Sequence, residues 1–90
     1  MKKITLDIRN IETVAALHIY LQYMLDLPDY YGRNLDALHD CLTEMSGDTG
    51  ITVLAQGARG ETAAYLPRLL QVLGDAACEN PRLVIQYNNG

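Results

Sequence analysis

Three short apolar runs set the limits on what this chain can become. Lys3 to Ile8 places Ile4, Leu6 and Ile8 at period two, the spacing of a strand with one buried face. Ile51-Thr52-Val53-Leu54-Ala55 is a β-branched run typical of a buried strand, and Leu83-Val84-Ile85 with Tyr87 forms a third. The segments between them repeat at helical spacing. After Asn10, a candidate cap, Val14, Leu17, Leu21, Met24 and Leu25 define a helix over about Glu12 to Leu25, which Pro28 would end. Asn34 caps a second helix running to about Met45, with Leu35, Leu38, Cys41 or Leu42, and Met45 inward, and Ser46 to Gly50 breaks it. From Thr62 to Cys78, Leu66, Leu69, Leu70, Leu73 and Ala77 share a stripe, and Pro67 predicts a short helix meeting a longer one. Asn80-Pro81 ends it. The order β-α-α-β-(α)-α-β calls for helical crossovers between parallel strands. The expected fold is therefore α/β, a small three-stranded parallel sheet with packed helices, in a single domain over residues 1–90.

Ninety residues can bury a core without metal or disulfide staples. A hydrophobic share of 49% with 20% charged residues is ordinary globular usage, so disorder is not expected. The start, Met-Lys-Lys-Ile-Thr-Leu-Asp-Ile, has no apolar run of the signal-peptide kind, and a soluble, cytoplasmic protein without membrane association is expected. Cys41 and Cys78 form no disulfide framework and no CxxC metal spacing, so both are expected to be free thiols. Seven basic against eleven acidic residues, a net charge of −4, argue against direct nucleic-acid binding and suit a basic partner.

Within "LPDYYGRNLDALHDCLTE", Leu27 to Glu44, the acids Asp36, Asp40 and Glu44 follow one another at four-residue intervals. On a helix they stack along one side, where each like-charge pair costs about 0.2–0.5 kcal/mol. Asp36 gains from the helix dipole in the first turn, but Asp40 has no such compensation. A solvated face is the ordinary explanation for such a row. Tyr30 and Tyr31 before the helix, Gly32 for a tight turn and His39 on the adjoining surface point instead to an interface. Catalysis finds little support, and the chain is not expected to be an enzyme. Gly57-Ala58-Arg59-Gly60 is too short for a phosphate loop and lacks its Lys, while His39 and Cys41, two apart, face different ways. Asp36, His39 and Asp40 could begin a metal-binding or hydrolytic site, but one helix supplies at most two convergent ligands, so no metal or cofactor is expected. His18, between Leu17 and Ile19, reads as a partly buried or rim histidine satisfied locally.

The segment "LPDYYGRNLDALHDCLT", Leu27 to Thr43, resembles the central part of the barstar family, intracellular inhibitors of the secreted ribonuclease barnase. The match is dense over about a fifth of the chain, and Met1-Lys2-Lys3 and Leu70-Gln71-Val72 extend it weakly. The family fold, a three-stranded parallel sheet with helices against it, agrees with the order read above.

The resemblance implies that the loop and second helix plug a ribonuclease active site. Asp40 would substitute for a substrate phosphate, Asp36 would add a second acid, and Tyr30 would pack on the catalytic histidine. Asn34, Leu35, Ala37 and Thr43 would lie on the contact surface, and Asp75 would stand where the family has an interfacial glutamate one carbon longer. His39, Arg33 and Glu44 replace a tryptophan, a glutamate and a glycine, and they change the rim, where discrimination between related partners is often set. The implied partner is a basic extracellular-type ribonuclease or a related nuclease toxin. It would be bound one to one by a monomer acting as an immunity protein or antitoxin.

Overall fold

The computed structural model describes residues 1–88. Its elements in chain order are β1 (Lys2–Asp7), α1 (Val14–Met24), α2 (Leu35–Thr43), β2 (Thr49–Leu54), α3 (Gly60–Glu79) and β3 (Leu83–Asn88). The strands form one parallel sheet in the order β1-β2-β3, as the sequence pattern predicts. Ile4 stands beside Ile51 and Ile51 beside Ile85, so the period-two apolar positions of all three strands share one face. Both crossovers step to the neighbouring strand in the same direction. With right-handed connections, this puts every helix on that face. The other face, with Lys3, Thr5 and Gln86, is exposed.

Leu6, Leu17, Leu21, Leu38, Leu42, Leu69 and Leu73 are all 0% exposed and make a single cluster between sheet and helices. Each such side chain contributes about 1.5–3 kcal/mol on burial, which is why periodicity alone locates the elements. Their ends obey local chemistry that the apolar pattern does not report. Thr13, not Asn10, caps α1, its hydroxyl accepting from Ala16 N–H at 3.2 Å. Glu61 of α3 adds a second cap, its carboxylate accepting from Val14 N–H at 2.9 Å. At the other end α1 stops before Pro28 acts. Leu27 N–H reaches Gln22 C=O at 3.0 Å and Asp26 N–H reaches Tyr23 C=O at 3.4 Å, with Asp26 left-handed at φ 52°, a Schellman ending.

Helix α2 ends at Thr43, two residues short of Met45, with Glu44 as its C-cap. Helix α3 corrects the expectation of two helices, since it runs unbroken through Pro67. Pro67 and Ala63, whose carbonyl loses its i+4 donor, are both exposed, so water can satisfy that carbonyl. The buried stripe of Thr62, Leu69, Leu73 and Ala76 carries the helix across the proline. Its C-terminal end, in turn, secures α2. The Asn80 side chain, 5% exposed, donates to Leu42 C=O at 2.9 Å and Met45 C=O at 3.1 Å, and its oxygen accepts from Arg82 N–H at 3.1 Å.

Two left-handed positions respond oppositely to exchange of glycine. At Gly60, φ 62°, a Cβ would stand 2.8 Å from Glu12 C=O, so Gly60→Ala adds a backbone clash to the left-handed penalty and should lower stability by at least about 1–2 kcal/mol. Asp26→Gly relieves the same penalty, less the roughly 0.5–1 kcal/mol of chain entropy glycine loses, and should raise stability by about 0.5–1 kcal/mol. Denaturant midpoints of the two variants check the opposite signs.

Candidate functional site

The loop from Leu27 to Asn34 is shaped from beneath by α1. Gln22 donates from its amide to Pro28 C=O at 3.1 Å and accepts from the Arg33 Nε–H at 3.4 Å, while Tyr31 N–H donates to Pro28 C=O at 2.9 Å. Arg33 is left-handed at φ 55°, a strained conformation for a long side chain, and it turns the chain into the Asn34 cap. Asn34 Oδ1 accepts from Ala37 N–H at 2.8 Å and its amide donates to Gly32 C=O at 3.2 Å. Loop and helix are thereby fixed to each other.

The two adjacent tyrosines part company here. Tyr30 is 82% exposed, whereas Tyr31 is 5% exposed and belongs to the core. Its hydroxyl meets Nδ1 of His18 at 2.6 Å, and Nε2 of His18 meets the Tyr65 hydroxyl of α3 at 2.9 Å. His18 is thus a buried centre joining α1, the loop and α3, not a rim residue with local partners. One ring nitrogen donates and the other accepts, so the neutral imidazole satisfies both hydroxyls. Burial lowers the His18 pKa and raises that of Tyr31.

On the outer side of α2 the expected residues share one surface. Asp36 and Asp40 are exposed at four-residue spacing, and Glu44 completes the row from the C-cap, where the helix dipole opposes its charge. A cleft of about 260 Å³ separates the loop from α2, with Tyr30 and Gly32 on one side and Ala37, Asp40 and Glu44 on the other. Cys41 forms part of its wall, half-buried and with its thiol pKa raised by burial and then by the charges of Glu44 and Asp40, which makes it a poor nucleophile. Thr43 turns its hydroxyl back to Asp40 C=O at 3.0 Å, so that hydroxyl is committed to its own helix. Leu35 is half-buried against the core.

Helix α3 supplies the far side of this surface. Asp75 and Asp36 border one groove where the helices meet, so the structure brings Asp75 to the acidic row. His39 reaches across to Glu79 through Nε2 and holds its Nδ1 3.8 Å from Asp40. Glu79, Arg68 and Gln71 also border this surface, and sequence reasoning missed them. The signal was present, because Arg68, Gln71, Asp75 and Glu79 follow at helical spacing on the polar side of α3, next to its core stripe. Among the described residues, no three His, Cys, Asp or Glu side chains converge as metal ligands, and no helix is long and apolar enough to cross a membrane.

The geometry is that of a small α/β scaffold presenting an acidic helix beside an aromatic loop. Comparison with known proteins names the family. The family described as Barstar (barnase inhibitor) matches residues 1–87, and the chain belongs to it. The chain is 60% identical over 43 residues to the Bacillus subtilis (strain 168) protein named "Putative ribonuclease inhibitor YrdF". The matched stretch spans 48% of this chain and 47% of that protein, about half the length of each.

The buried His18 sets a pH dependence whose sign follows from its surroundings. Its pKa is lowered on folding from an ordinary 6.5, so the unfolded chain takes up a proton first as pH falls. Stability is then fully present above about 6.5 and declines as pH drops toward the folded value. His18→Gln keeps hydrogen-bonding capacity but does not titrate. Chemical denaturation between pH 7 and 5 should show a steeper loss in the wild type than in this variant, and parallel curves would contradict the assignment.

Proposed function

We propose that the protein inhibits a ribonuclease by seating α2 and the preceding loop in the enzyme's active site. The supporting observation is an acidic row on a helix held at both ends, which no Lys or Arg neutralises. Among the described residues no Lys or Arg pairs with Asp36, Asp40 or Glu44, although ion pairs form elsewhere, at Asp7 with Arg9 and Asp48 with Arg82. At Asp7, hydrogen bonds from Arg9 hold the carboxyl down at about 2. Membership of a family described by barnase inhibition, and a relative named as a ribonuclease inhibitor, support a ribonuclease as the partner class.

An enzyme that cleaves RNA holds a polyanion and so lines its site with cations. Covering those cations strips their hydration and is tolerated only where counter-charges arrive with good hydrogen-bond geometry. In this account Asp40 takes the place of a phosphate, and Asp36 and Asp75 meet flanking cations. Tyr30 lays its exposed ring on the enzyme. Asn34, Leu35, Ala37, His39, Thr43 and Glu44 complete the contact, with Asn34 and Thr43 acting mainly by fixing its shape. The chain works as a monomer in a one-to-one complex, without cofactor or catalysis of its own. It serves in the cytoplasm as an immunity protein or antitoxin against a basic ribonuclease or related nuclease toxin. Its net charge of −4 would steer association with such an enzyme.

Asp40→Ala separates this from a merely solvated row. Folding stability should hold or rise slightly, since repulsion from Asp36 and Glu44 is relieved and alanine is the better helix former. Inhibition should collapse, because truncating one partner of a desolvated charge pair costs about 2–5 kcal/mol, a range taken from measured pairs that include barnase and barstar. That corresponds to at least a roughly 30-fold loss of affinity. A denaturant midpoint and an inhibition constant measured on each protein decide it, and unchanged inhibition would return the row to a solvated surface.

A further inference from the structure

Beside the acidic cleft lies a second depression of about 250 Å³, where the first turn of α2 meets the outward stripe of α3. Half-buried Leu35 and Val72 make its apolar part, and Asp36, Arg68, Gln71 and Asp75 make its polar part. This volume falls below the roughly 300–1,000 Å³ of small-molecule sites, and it suits one side chain of a protein partner. Arg68 is the cation of this groove. It is exposed, and among the described residues it enters no ion pair, although two carboxylates share the groove with it.

We infer that Arg68 is a specificity-determining residue whose guanidinium receives a carboxylate of the bound partner in this groove, between partner cations that meet Asp36 and Asp75. The inference rests on the ribonuclease-inhibitor reading and adds to it the charge pattern of the enzyme surface: an acidic side chain with a cation on either side. A guanidinium is a planar fork of donors that takes a carboxylate through two parallel hydrogen bonds. On a face that otherwise offers carboxylates to a basic enzyme, an unpaired guanidinium repels every cation brought near it. It therefore rejects a uniformly basic surface and accepts one that carries an acid at the matching place. Gln71, one turn further along α3, offers a neutral amide to the second oxygen lone pairs of such a carboxylate.

The competing explanation is that Arg68 only moderates repulsion between Asp36 and Asp75 in the free chain. The two part on kinetics. Removing a cation from an acidic face speeds association with a basic partner in either case, because steering improves. Only the loss of a direct pair speeds dissociation.

The experiment uses barnase, the ribonuclease in the family's description, as probe, with association and dissociation rates measured for the full chain, Arg68→Ala and Arg68→Lys. Arg68→Ala should dissociate at least ~10-fold faster while associating as fast or faster, consistent with a lost charge-assisted contact. Arg68→Lys should fall between, keeping the charge and losing the fork. Denaturation midpoints of both variants should match the wild type, which excludes a folding defect as the cause. Unchanged or slower dissociation of Arg68→Ala would overturn the inference and leave the inhibitor reading standing. Failure of the wild-type chain to bind barnase or any of a panel of basic microbial ribonucleases would overturn that reading, and this inference with it.

Discussion

The side chain of Asn80 ties together the parts on which the acidic surface depends. It lies buried where α3 ends and β3 begins, and it donates to the Leu42 carbonyl in the last turn of α2 and to the Met45 carbonyl just past it while accepting from Arg82 N–H. A helix of nine residues has too few internal hydrogen bonds to persist by itself, so α2 depends on what holds its ends and its inner face. Asn34 satisfies the start, Asn80 the end, and Leu38 and Leu42 the inward side. With these fixed, Asp36, Asp40 and Glu44 project from a backbone that loses little freedom when a partner arrives.

That rigidity explains how an arrangement unfavourable to the free chain can persist. Stacked carboxylates cost a few tenths of a kcal/mol per pair, and Glu44 at the helix C-terminus adds a dipole penalty of about 0.3–1 kcal/mol. Both are small against the several kcal/mol that a desolvated, hydrogen-bonded charge pair contributes to a complex. His39, drawn to Glu79, links α2 with α3 beside Asp40, and the His18 network holds the loop before the helix. Tyr31 and Tyr30 differ in place, one ring anchoring the loop in the core and the other exposed on its outer side.

Strand and helix order, the parallel sheet and the core stripes were legible because burial of one face imposes its period on the residues. The ends of elements were not, because they turn on single side chains. Asn10 was the expected cap, whereas the Thr13 hydroxyl takes that place on Ala16 N–H and Glu61, remote in sequence, adds its carboxylate at Val14 N–H. Pro67 looked like a break, yet its exposure leaves the lost hydrogen bond to water while leucines on the other side keep the helix whole. Of the candidate surface, Tyr30, His39 and the acids Asp36, Asp40 and Glu44 stood out together in one contiguous stretch, while Asn34, Leu35, Ala37 and Thr43 were expected there through the resemblance. The second tyrosine's burial could not, since His18 and Tyr65 reach it from positions remote in sequence. Asp75 was placed through the resemblance, while Arg68, Gln71 and Glu79 emerged only when α2 and α3 were seen side by side.

Occupancy of the enzyme's phosphate sites is the central claim, and competition tests it most directly. A basic ribonuclease inhibited by this chain, saturated with a nucleotide that binds its active site, should release that nucleotide as the chain is added. The apparent affinity of the chain should also weaken in proportion to nucleotide concentration. Titration calorimetry in the presence and absence of the nucleotide reads both effects. Mutually exclusive binding is the result this account predicts. Simultaneous binding, with inhibition retained, would place the acidic helix away from the active site and contradict the substitution of carboxylates for phosphates.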